Sequence, residues 1–168
     1  MNDEGTTSES QSATPAPRKS STAAIVRLPD RSRARLSAAD WRLLIGVAIA
    51  QIIIAIALRA MPVAALRRRA ARARPIVRFA ARGSDDRVVW AIHAAGRRLG
   101  RLSTCLIRAL AAELVIDDRA GLVLTIGIRR TAEGAVDAHA WLARGDRVLV
   151  GSTSDGYVPL VEWGRISA

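Results

Sequence analysis

Cys105 is the only cysteine in the chain, and His139 follows it 34 residues later. A thiol at the start of a predicted helix and an imidazole on a later strand form the layout of a thiol nucleophile and its base. Only the thiolate attacks, and both a helix N-terminus and an imidazolium favour that form. The alternative for a lone cysteine is a small, inert hydrophobe in a core. These two residues alone do not separate the possibilities.

The elements that must position them read as helix, helix, then strands. Ser84-Asp85-Asp86 opens a helix whose apolar stripe is Val88, Val89, Ile92 and Leu99, with Gly100 as terminator. His93 lies in that helix and is taken as having no role. Ser103 or Thr104 caps a second helix reaching about Asp117, with Leu106, Ala109, Leu110 and Leu114 at helical spacing. Cys105 then falls in its first turn, where unpaired N–H groups and the helix dipole favour negative charge.

Alternation follows. Leu122, Leu124, Ile126 and Ile128 share one face of a strand, and Gly127 on the other face permits close backbone approach. Thr131 to Gly134 is a turn, Val136 to Ala143 a second strand, Arg144-Gly145-Asp146 a hairpin tip and Arg147 to Gly151 a third strand. Asp137, His139 and Trp141 share a face of the second strand. The expectation is an α+β domain in which the Cys-bearing helix packs on the histidine-bearing face of a small antiparallel sheet.

Upstream, residues 1–36 are rich in Ser, Thr, Pro and charge and read as a disordered tail. Residues 37–83 read as a hydrophobic helix and an Arg-rich linker, and 84–168 as the folded domain. Ser37 and Asp40 make a helix start. The run Leu43 to Leu58 is apolar except for Gln51. Its 16 positions span about 24 Å, short of a hydrocarbon core of about 30 Å. It is expected to dock on its own domain, on a partner, or peripherally on a membrane. The stretch Ala64 to Arg74, with Arg67, Arg68, Arg69, Arg72 and Arg74, reads as a solvated helical linker ending at Pro75 or as an interfacial helix on anionic lipid.

A net charge of +11, carried almost wholly by arginine, suits an anionic partner or simply a solvated surface. With 4% aromatic residues and no recognisable nucleic-acid motif, no nucleic-acid partner is expected. One Cys and two His do not supply a structural zinc site, and no metal or cofactor is expected. A lone cysteine excludes an intrachain disulfide and fits a reducing, cytoplasmic setting.

Taken together, Cys105-Leu106-x-Arg108-Ala109-Leu110, Leu124-x-Ile126-Gly127-Ile128, His139-Ala140-Trp141-Leu142 and Gly145-x-x-Val148 resemble the lasso-peptide leader peptidases. These are the protease half of the lasso B proteins, with a transglutaminase-like, papain-related fold. Trp41-Arg42-Leu43-Leu44 through Leu58-Arg59-x-Met61-Pro62 is similar to the hydrophobic helix that precedes their peptidase domain.

The resemblance implies Cys105 as nucleophile, His139 as base and a precursor-peptide leader as substrate. It also implies a leader-recognition protein acting in trans and a separate asparagine-synthetase-like cyclase. Where the family commonly carries the third, orienting aspartate, this chain has Gly151. Asp146, Ser152 and Asp155 are the nearby candidates, and Asp155 is preferred. Two other readings stay open: acyl transfer by the same Cys–His pair, and a non-enzymatic basic adaptor at a membrane.

Overall fold

Ser37 starts the first helix as its sequence suggests. Its hydroxyl accepts from the Asp40 N–H at 3.1 Å, and its own N–H donates to the Asp40 carboxylate at 3.0 Å. This reciprocal capping satisfies two otherwise unpaired donors. In the structure, a computed structural model describing residues 36–80, 83–152 and 156–164, the resulting helix α1 covers Ala38–Ala60. The tail predicted at 1–36 lies, apart from Leu36, outside the described residues, as does Asp155.

Helices α2 (Val63–Ala80), α3 (Asp85–Leu99) and α4 (Cys105–Val115) follow, with a 3-10 turn at Gly100–Leu102. Gly100 ends α3 with φ at +53°, a conformation glycine adopts without strain. Strands β1 (Leu122–Arg130), β2 (Val136–Arg144), β3 (Arg147–Val150) and β4 (Val158–Trp163) form an antiparallel sheet in the order β3-β2-β1-β4. The α+β architecture is as expected, and β4 is an edge strand that the sequence reading lacks.

Helix α4 is central. It packs on β2, β1 and β3 on one side and on α1, α2 and α3 elsewhere. Leu122, Leu124, Leu142 and Val150 join the helices in one buried cluster, together with Leu43, Val47 and Ile54 of α1. Each such large side chain contributes roughly 1.5–3 kcal/mol on burial. The core therefore does not break at residue 84: α1 and α2 are part of the same packed unit as the Cys-bearing helix.

Helix α2 is helical as expected, but it is neither solvated throughout nor ended at Pro75. It continues through Pro75, which removes one helix hydrogen bond without ending the helix. Two of its arginines turn inward. Arg67 is 5% exposed and forms a bidentate pair with Glu113 of α4, at 2.9 and 2.5 Å. Arg119 adds a second contact to that carboxylate at 2.8 Å. Arg74 donates to the carbonyls of Leu114 and Ile116, satisfying acceptors at the end of α4. A planar guanidinium on a long stem suits both tasks, so the alternating Ala/Arg run clamps the central helix.

Candidate active site

The turn before Cys105 is held from beneath. Ser103 is 2% exposed, and its hydroxyl donates to the Gln51 side-chain carbonyl at 2.5 Å. The Gln51 amide donates in turn to the Ile92 carbonyl at 3.3 Å. Arg108 Nε donates to both the carbonyl and the hydroxyl oxygen of Ser103, each at 3.0 Å. Gly96 makes room for this network, since a Cβ there would lie 2.8 Å from Ser103 Oγ and 3.0 Å from Arg108 Nε. The one polar residue inside the apolar run of α1 thus anchors the loop that delivers the thiol.

Thr104 then caps α4, its hydroxyl accepting from the Ile107 N–H at 3.4 Å. Cys105 is the first residue of the helix, half-buried and free. It occupies the N-terminal end of the helix.

His139 stands in the middle of β2, opposite Gly127 of β1. Its ring stacks beside Trp141, with centroids 6.3 Å apart, and meets Tyr157 at 5.1 Å. Gly127 is required here: a Cβ would come within 2.8 Å of the Trp141 ring and 3.0 Å of the Val158 carbonyl. The Tyr157 hydroxyl donates to Asp137 at 2.7 Å, and Arg129 pairs with the same carboxylate at 3.1 Å. The Tyr157 hydrogen bond foremost, and Arg129 beside it, hold the Asp137 carboxyl below the usual carboxylate range.

Arg144, at the end of β2, donates to the carbonyl of Asp118 just beyond α4, so the C-terminal ends of α4 and β2 lie together. Cys105, at the other end of α4, and His139 do not share a face of the sheet. The helices cover the face of Leu122, Leu124 and Leu142, whereas His139 lies with Trp141, Thr125 and Gly127 on the other. This corrects the expectation that α4 packs on the histidine-bearing face. That face is too polar and too filled by Trp141 to seat a helix, while the leucine face is apolar. Strand β3 ends at Val150 opposite Leu142, and among the described residues no strand pairs with the β2 edge beyond it. Among the described residues, no hydrogen bond joins thiol and imidazole in this state.

Gly151 is fixed by its surroundings. Its φ is +96°, and a Cβ would lie 2.7 Å from Trp141 Cβ and 2.9 Å from the Ala140 carbonyl. The next residue supplies one partner of the imidazole from the backbone: the Ser152 N–H donates to His139 Nε2 at 3.2 Å. Asp146 sits exposed at the β2–β3 turn, away from this cluster. Sequence reading missed Gln51, Tyr157 and the Ser152 amide. Gln51 carried a signal, as the single interruption of an apolar run; a backbone amide carries none. His93 sits on α3, where burial first, and the Arg108 and Arg97 charges next, push its imidazole down. Among the described residues no group of His, Cys, Asp and Glu forms a metal cluster.

Comparison with protein families matches residues 43–162 to the model described as the transglutaminase-like superfamily. The match takes in α1 as well as the sheet. Neither the comparison with curated proteins nor that with solved structures gave a match.

Proposed function

Because this chain belongs to the transglutaminase-like superfamily, whose chemistry is typically cysteine-based, we propose that it is a cysteine peptidase that removes the leader from a ribosomally made lasso precursor peptide. In this reading the Cys105 thiolate attacks the scissile carbonyl, and His139 takes the thiol proton and returns it to the leaving amine. Water then hydrolyses the thioester. Asp155 is the proposed orienting carboxylate, and a leader-recognition protein and an asparagine-synthetase-like cyclase are the proposed partners. The observation that carries the reading is a free thiol on the first residue of α4, the helix that packs on the His139-bearing strand β2.

The test is a reconstituted reaction of the full chain with precursor peptide and recognition protein, read by mass spectrometry. Wild type releases a free leader fragment. Cys105→Ala and His139→Ala each lower the rate on the order of 1,000-fold or more. Full cleavage by either variant refutes the assignment. The superfamily match supports one second reading, acyl transfer through the same thioester. A crosslinked product in place of the free leader would identify it.

A further inference from the structure

Helix α1 has two apolar faces, and the core uses only one. Leu43, Val47 and Ile54 are buried. Ile45, Ile49, Ile52 and Ile56 are between 38% and 59% exposed. Their steps of four, three and four residues align them along one side of the helix. Trp41 and Ile53, 51% and 60% exposed, widen the stripe. Arg42 and Arg59, both exposed, continue the same spacing at its two ends, about 25 Å apart. Isolated exposed apolar residues are ordinary, but a contiguous stripe of this kind marks an interaction surface.

The charges select the occupant. If a second copy paired α1 with α1, each terminal arginine would face another arginine, whether the helices ran parallel or antiparallel. Like charges in such positions oppose association. Asp40, the only acidic residue of α1, is engaged by Ser37 and Arg87. The neighbouring helix α2 exposes Arg68, Arg69 and Arg72, and the chain as a whole carries +11. An apolar stripe bounded by cations, with a tryptophan at one end, fits an anionic bilayer surface.

By length and composition α1 could cross a bilayer. Its inner face, however, belongs to the protein core and supplies Gln51 to the Cys105 loop. A spanning helix would strip those contacts from the domain. We propose that α1 lies in the plane of an anionic membrane, with the Ile45–Ile49–Ile52–Ile56 stripe inserted and Arg42 and Arg59 on lipid phosphates. This docking is independent of the peptidase reading.

The experiment is flotation of the full chain with vesicles of phosphatidylcholine alone or containing phosphatidylglycerol. Wild type floats with the anionic vesicles, less so as salt is raised, and not with the neutral ones. The Ile45→Asn, Ile49→Asn, Ile52→Asn, Ile56→Asn combination alters exposed side chains only. It lowers partitioning by at least about 100-fold, with folding checked by circular dichroism. Should that variant misfold, Arg42→Gln with Arg59→Gln decides, lowering partitioning about 30-fold. Trp41→Phe removes the emission blue shift that wild type shows on binding. The proposal is overturned if wild type ignores anionic vesicles, or if the folded isoleucine variant or the arginine variant floats like wild type. It is also overturned if light scattering finds a wild-type dimer, without vesicles, that the isoleucine variant abolishes.

Discussion

Replacing Gly151 with aspartate writes into this chain the carboxylate that the lasso-peptidase resemblance implies, and the structure predicts harm rather than repair. At φ +96° a residue with a Cβ is strained, at a cost of order 1–3 kcal/mol. The new Cβ would also meet Trp141 Cβ at 2.7 Å, with the Ala140 carbonyl and Trp141 Cα each at 2.9 Å. None of these is the end of a flexible side chain, so the strand connection itself has to shift. Overpacking of that kind adds about 1–3 kcal/mol. Together Gly151→Asp should lose about 2–6 kcal/mol, a large part of the 5–15 kcal/mol typical of a domain. In a thermal melt this is a drop of roughly 6–25 °C. Gly151→Ala carries the same Cβ without the charge and should lose nearly as much. The shift would also pull the Ser152 N–H away from His139 Nε2, so the imidazole resonances should move in both variants. An unchanged melting temperature in Gly151→Asp, or a loss in Asp that Ala does not share, would refute this steric argument.

The remaining predictions concern the supports. Gln51→Leu removes the acceptor of the buried Ser103 hydroxyl and the side-chain donor that the Ile92 carbonyl has beyond its helix bond. It should destabilise by about 1–3 kcal/mol in denaturant unfolding and raise hydrogen exchange in the loop before α4. Arg67→Met breaks a buried ion pair, but Arg119 still neutralises Glu113. The expected loss in chemical denaturation is therefore toward the lower end of about 3–5 kcal/mol. The Asp40 carboxyl is lowered to about 2, by the Ser37 hydroxyl first and then by Arg87. A carboxylate with a depressed folded-state value binds fewer protons folded than unfolded. Its stabilisation is thus complete above the ordinary value of 3.8 and is lost as pH falls through about 2. Asp40→Asn should flatten that part of the acid limb in melts recorded across it.

The local features were legible in the sequence. Ser37 with Asp40, Thr104 before Cys105 and Gly100 after α3 act within one helical turn, so their types and spacing suffice to mark helix ends. Alternation marked β1 and β2, and Gly145 marked the turn between β2 and β3. It also assigned Asp137, His139 and Trp141 to one face. The Cys105 and His139 candidates came from residue type and order, which local patterns preserve.

Tertiary structure decided which face the helices cover, and it chose the leucine face, because only that face could exclude water against α4. It also decided the fate of the arginines in α2. A run of Ala and Arg reads the same whether solvated or buried, and only Glu113, 46 residues on, drew Arg67 inward. Gln51 looked like a flaw in an apolar helix until Ser103, 52 residues later, arrived as its partner. Periodicity reports whether a side chain is apolar and where it points on its own element. It carries no information about which distant group will meet it, because that choice rests on the packing free energy of the whole core.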